Sequence, residues 1–171
     1  MPPVVVLIGP PGSGKSSVGA RVARLLGTTL RDTDADVEAA AGRSVSDIFV
    51  SEGEERFREL ERLAVAKALV EHDGVLSLGG GAPIDADTQA LLQQYVQAGG
   101  AVAFLDVSLT AAVPRVGLNV TRPLLLGNPR QKWLALMTER RPVYERLATM
   151  TVLTDHRKPK GIAKEIAEAL A

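Results

Sequence analysis

The chain has 171 residues, with 20 basic and 20 acidic side chains, two histidines and no cysteine. Zero formal net charge argues against a general binder of nucleic acid or anionic membranes, which carries a basic excess. The missing cysteines exclude a disulfide framework or thiolate metal site, and His72 and His156 alone exclude a histidine-rich metal centre. No apolar run approaches the roughly 18 residues that span a bilayer, and Met1-Pro2-Pro3-Val4 has no leader pattern. One soluble, cytoplasmic domain is the expectation.

Val4 to Ile8 is a continuous, β-branched apolar run ended by Gly9-Pro10-Pro11-Gly12, the pattern of a strand buried on both faces. Val18, Val22, Leu25 and Leu26 then recur at helical spacing, and Gly27 closes that helix. Leu30 to Thr33 reads as a second strand leading into Asp34, and a small helix follows from about Ala35 to Ala41. Ser51 and Glu54 have capping-box spacing and open a helix with Phe57, Leu60, Ala64 and Ala68 on one face. Val75 to Leu78 is a third strand, followed by Gly79-Gly80-Gly81. A helix over 85–98, a fourth strand over 101–107 and a short helix over 110–116 come next. Gly117, Pro123, Gly127 and Pro129 mark a long loop, with a helix from Gln131 to about Arg140 beyond it. Met150 to Thr154 is a fifth strand, and Pro159 opens the closing helix. Alternating strands and helices imply a parallel sheet covered on both faces.

Gly9-Pro10-Pro11-Gly12-Ser13-Gly14-Lys15-Ser16 fits the phosphate-loop pattern G-x-x-x-x-G-K-S at every position, with a strand before and a helix after. Glycines let backbone N–H groups close around phosphate oxygens, and the helix N-terminus favours the same anion. This is a site for ATP with Mg²⁺. Gly12, Ser13, Gly14, Lys15, Ser16 and Ser17 are its candidate contacts: Lys15 neutralises the β- and γ-phosphates, and the Ser16 hydroxyl takes a place on the metal.

Asp32 and Asp34 flank Thr33, and two residues apart in a strand they share a face. Either both carboxylates point into a pocket at the carboxyl edge of the sheet, or Asp34 caps the next helix. Arg58 has two readings as well: a surface partner of Glu54 at i,i+4, or a ligand clamp. Arg140 competes with Arg141 for the same kind of role. The triple glycine is either a flexible turn or a place where backbone approaches a ligand.

The phosphate loop, Asp32-Thr33-Asp34, Gly42-Arg43-Ser44, Phe57-Arg58, Gly79-Gly80-Gly81, Arg122-Pro123-Leu124 and Arg140-Arg141-Pro142-Val143-Tyr144 occur in this order. Together they resemble the shikimate kinases, over essentially the whole chain. That resemblance implies an α/β P-loop fold like the nucleoside monophosphate kinases, with five parallel strands in the order 2-3-1-4-5. It implies an acceptor-binding segment over about 33–62 and a lid over about 117–129. It implies transfer of the γ-phosphoryl group of ATP to the 3-hydroxyl of shikimate by a monomer that needs no nucleic acid or membrane.

Carried over by position, Lys15, Asp34 and Arg122 are catalytic. Asp34 holds the acceptor hydroxyl, and Arg122 comes down from the lid onto the phosphates. Arg58 and Arg140 clamp the shikimate carboxylate, while Gly79, Gly80 and Gly81 line the acceptor site. Asp32 reaches Mg²⁺ through water. Arg115 and Arg157 match positions that sandwich adenine, and Pro114 departs from the basic residue expected beside Arg115. Gluconate kinase and a non-catalytic ATP-binding module are the competing readings.

Overall fold

β1 (Val5–Ile8) is buried along its whole length because it is the middle strand of five. A computed structural model describes residues 1–116 and 127–171. With β2 (Leu30–Asp32), β3 (Val75–Ser77), β4 (Val102–Asp106) and β5 (Met150–Leu153), it forms a sheet in the order β2-β3-β1-β4-β5. Every pairing is parallel, with Val5 opposite Val75 and Val6 opposite Val102 across the centre. The expected strand order is therefore found.

Alternation along β1 divides the core. Val5 and Leu7 pack with Val18 and Val22 of α1 (Lys15–Leu25) and with Ile162 and Ile166 of α7 (Pro159–Ala169). Val6 and Ile8 face α3 (Val45–Glu71), α4 (Ala86–Gln97) and α6 (Pro129–Leu147), through Val65, Leu92, Met137 and Tyr144. A third, smaller core joins Val37 of α2 (Thr33–Ala41) to Ile48 and Phe57 of α3. It supports the segment between β2 and β3. Because all five strands run the same way, their carboxyl ends collect Gly9, Asp32 and Gly79 at one edge, where open α/β sheets bind ligands.

Four local expectations need correction. Asp34 is not in a strand: β2 stops at Asp32, and that residue's carboxylate caps α2 by accepting the Asp34 amide. The cap thus falls two residues earlier than read. Second, α3 starts far ahead of Ser51. Ser44 caps it by accepting the Asp47 amide at 3.1 Å, while the Ser51 hydroxyl donates back to the Asp47 carbonyl. A non-helical Gly53 kinks the helix there instead of starting it. Third, α6 runs past Pro142 to Leu147 because Tyr144 and Leu147 on its far turn are both core residues. The buried apolar surface outweighs one lost helical hydrogen bond. Fourth, Leu25 is 57% and Leu26 37% exposed, so the apolar face of α1 is carried by Val18, Val22 and Ala23.

Candidate active site

The phosphate loop curls between β1 and α1, and its three glycines all have the positive φ that favours this residue: Gly9 at 151°, Gly12 at 83° and Gly14 at 87°. Gly14 is also the N-cap of α1 and offers no side-chain acceptor. The first amides of the helix are thus left to an anion. Lys15 Nζ donates to the Gly9 carbonyl at 2.7 Å and the Pro10 carbonyl at 3.2 Å, which holds its charge inside the curl. Gly12, Gly14, Lys15, Ser16 and Ser17 line one side of a 270 Å³ cleft, and Asp32, Asp34, Gly79 and Gly80 line the other. Ser13 is buried in the loop itself.

Asp32 does two jobs at this edge. One carboxylate oxygen caps α2, and the other accepts from the Ser16 hydroxyl at 3.3 Å. That brings a hydroxyl and a carboxylate together beside the anion cradle. Both are hard oxygen donors, as magnesium requires. Among the described residues no cluster of three or more His, Cys, Asp or Glu could hold an ion alone. Magnesium bound chiefly through phosphate oxygens and water does not need one. The residues fit the ion.

Thr33, fully buried between the two aspartates, accepts the Gly79 amide at 3.2 Å and fixes the glycine run against α2. A Cβ at Gly79 would lie 2.8 Å from an Asp34 oxygen and 2.8 Å from a Glu61 oxygen. Asp34 and Glu61 therefore converge over that glycine from α2 and α3. None of the three glycines has a positive φ. Space for side chains, not backbone flexibility, is what this triplet provides.

Arg58 and Arg140 line a second cleft, of 420 Å³, with Gly81, Ile84 and Leu136. The glycine run forms the wall between it and the phosphate cleft. Arg58 bonds Glu61 at 2.7 Å and Glu54 at 3.4 Å. Burial works against its charge, yet Glu61 and Glu54 hold the guanidinium above its ordinary pKa. Glu61, only 3% exposed, is pushed up by burial and by the nearby Asp34 charge, although Arg58 opposes the shift.

Arg140 is 4% exposed, and its buried Nε has no hydrogen-bond partner among the described residues. A buried guanidinium with spare donors is suited to a planar anion. Arg141 is turned the other way. It makes two bonds to Asp106, at 2.7 and 3.1 Å, over the Phe104 ring. Of the two arginines, Arg140 lines the cleft and Arg141 is paired with Asp106 away from it.

Tyr144, four residues after Arg140 on the same helix face, donates to the Gly80 carbonyl at 2.5 Å. Burial pushes its hydroxyl up to about 12, so it remains a donor. Sequence reasoning missed Glu61, Thr33 and Tyr144 as parts of the site. Helical spacing carries a signal for two of them: Glu61 is three residues after Arg58, and Tyr144 is four after Arg140.

Arg115, in the last turn of α5 (Leu109–Val116), donates to the Gly12 carbonyl at 2.8 Å despite Pro114 inside that helix. Arg157 is bonded to the Leu153 carbonyl and to Glu165 of α7. It does not line the phosphate cleft, whereas Arg115 does. Arg122 and most of the expected lid lie outside the described residues. A larger concavity of 740 Å³ opens at the opposite edge of the sheet, among Pro3, Leu26, Val70, Tyr95 and Leu170. Tyr95 is its one ionisable side chain, so it lacks the means for phosphoryl transfer.

A family model described as shikimate kinase matches residues 11–171. The chain belongs to the shikimate kinase family. It is 53% identical over 168 residues to shikimate kinase of Streptomyces avermitilis, covering 98% of this chain and 95% of that one. Against the Salinispora arenicola shikimate kinase it is 53% identical over 171 residues, covering 100% and 99%. The shikimate kinase of Acinetobacter baumannii in complex with shikimate superposes with a TM-score of 0.93 at 32% identity, covering 99% of this chain and 93% of that one. A gluconokinase of Sinorhizobium meliloti, at 19% identity and a TM-score of 0.64, shares the fold alone. The family's acceptor thus separates the two kinase readings that the phosphate loop left open. Among the described residues, no helix is long and apolar enough to cross a membrane.

Proposed function

We propose that this chain transfers the γ-phosphoryl group of ATP to the 3-hydroxyl of shikimate, giving shikimate 3-phosphate and ADP. The observation that carries the reading is Arg140: a buried guanidinium with an unpartnered Nε, beside Arg58, in a cleft one glycine wall away from the phosphate loop. A shikimate kinase solved with shikimate shares the fold at 32% identity.

Phosphoryl transfer of this kind depends on positioning and charge stabilisation, with little covalent help from the protein. Arg58 and Arg140 hold the acceptor carboxylate and fix the ring's orientation. Ile84 and Leu136 offer it apolar contact. Asp34, at the shared wall, orients the 3-hydroxyl and accepts its proton as the O–P bond forms. Lys15 moves from its loop carbonyls onto the β- and γ-phosphates, and the loop amides of Gly12, Ser13, Gly14 and Lys15 cradle them. Ser16 and Asp32 would hold magnesium, the latter through water. When bound, the ion neutralises charge on the β- and γ-phosphates. Arg115 and Arg157 flank adenine, Ser17 borders the loop, and Arg122 supplies a further charge at the transferred group. The enzyme is read as a cytoplasmic monomer whose partners are small molecules.

Calorimetric titration tests the carboxylate clamp. Shikimate should bind, and its uncharged carboxamide should bind at least about ten-fold more weakly, because a charge-assisted hydrogen bond contributes about 1.5–3 kcal/mol. Equal affinities would contradict the assignment of Arg58 and Arg140.

A further inference from the structure

Trp133 is the only tryptophan in the chain and is 2% exposed in the core beneath the phosphate loop. Burial alone would explain an aromatic ring there, but not the direction of its polar edge. The indole Nε1–H donates at 2.8 Å to the Pro11 carbonyl, reaching from the first turns of α6 into the loop. No peptide bond among the described residues is cis. In a trans peptide the carbonyl and the next residue's N–H point in opposite directions. Holding the Pro11 carbonyl toward the core therefore turns the Gly12 N–H away from it. Gly12 lines the phosphate cleft.

Among the described residues, no other side chain holds the Pro11 carbonyl. Lys15 engages the Gly9 and Pro10 carbonyls, and Arg115 engages the Gly12 carbonyl. Proline has no amide of its own, so the Pro11 unit can be fixed only through its carbonyl or its ring. The same helix carries Tyr144 to the Gly80 carbonyl and Arg140 into the acceptor cleft. Thus α6 is bonded both to the nucleotide loop and to the acceptor wall.

We infer that Trp133 is a positioning residue for the nucleotide: its indole N–H sets the Pro11–Gly12 peptide so that the Gly12 amide faces the phosphates. This rests on the reading of the loop as the ATP site. Side chains that fix a site's geometry act through the group they hold, and loss of one such hydrogen bond weakens the held interaction about five-fold.

The test compares Trp133→Phe, which removes the donor, with Met137→Ala, which loosens the same core but keeps the indole donor to the Pro11 carbonyl. Trp133→Phe should raise the KM for ATP and the Kd for ADP about five-fold while the KM for shikimate stays constant. Met137→Ala should lower the Tm without that split. Unchanged nucleotide constants in Trp133→Phe, or the same rise in Met137→Ala, would overturn the inference.

The wild-type protein gives a second readout if Trp133→Phe does not fold. Its single indole ¹H–¹⁵N signal should move on addition of ADP and stay in place with shikimate alone. An indole signal indifferent to ADP would overturn the inference too. Failure of wild-type protein to bind ADP at all would instead sink the ATP reading of the loop.

Discussion

Replacing each glycine of Gly79-Gly80-Gly81 by alanine should give three different kinetic defects, because each missing Cβ faces a different functional group. At Gly79 the new atom would lie 2.8 Å from oxygens of Asp34 and Glu61, where ordinary contact starts at 3.4 Å. One or both carboxylates must retreat by about 0.6 Å, and a shift of roughly 1 Å in a reacting group costs about 10²-fold in rate. Gly79→Ala should therefore lower kcat about ten-fold, with the KM for ATP unchanged. At Gly81 the new atom collides with the Arg58 guanidinium, the far end of a flexible side chain. The fold survives, but the clamp is displaced, so the KM for shikimate should rise about ten-fold or more. At Gly80 the nearest atoms are Arg140 Nη1 at 3.3 Å and the Gly9 carbonyl at 3.4 Å, so this substitution should be the mildest. Steady-state kinetics with each substrate varied in turn, alongside thermal melts, separates the three. If Gly80→Ala were as damaging as its neighbours, or if all three weakened ATP alike, the spatial reading of the triplet would be wrong.

Three other outcomes are expected. Arg140→Ala should raise the KM for shikimate with little change in Tm. Arg141→Ala should leave that KM alone and lower the Tm by about 2–4 °C, as for loss of a half-exposed ion pair contributing about 1 kcal/mol; the opposite pattern would exchange their roles. Glu61 has a folded-state pKa raised above the ordinary 4.5 by burial, so the native state holds its proton more tightly than the unfolded chain does. Its contribution is full below that ordinary value and is lost as pH rises through the raised one. Wild type should thus lose stability relative to Glu61→Gln on going upward from about pH 4.5, and a pH-independent difference in denaturant midpoint would contradict this. Arg122→Ala should lower kcat by about 10²–10³ through loss of a transition-state charge contact, and an unchanged kcat would remove it from the mechanism.

Strand order and the phosphate loop were legible because they rest on apolar runs and on an eight-residue pattern with the right flanks. Errors came where one residue decides a boundary. Asp32 and Asp34 are both good caps, and only the end of β2 pairing at Ser77 shows which one is used. Ser44 and Ser51 both have acidic residues three positions on, and the kink at Gly53 let one helix pass for two different starts. Which of Arg140 and Arg141 enters the cleft depended on which face of α6 meets β4, a tertiary fact that helical periodicity could not settle in advance. Trp133 read as packing, since nothing local in sequence marks the Pro11 carbonyl as its acceptor.

A coupled ADP-release assay with Mg-ATP, comparing shikimate, gluconate and no acceptor, decides whether this chain phosphorylates shikimate. Rapid release should depend on shikimate alone. Release driven by gluconate would keep the fold and phosphate site but overturn the arginine clamp, and acceptor-independent ADP binding without turnover would leave an ATP-binding module in place of a kinase.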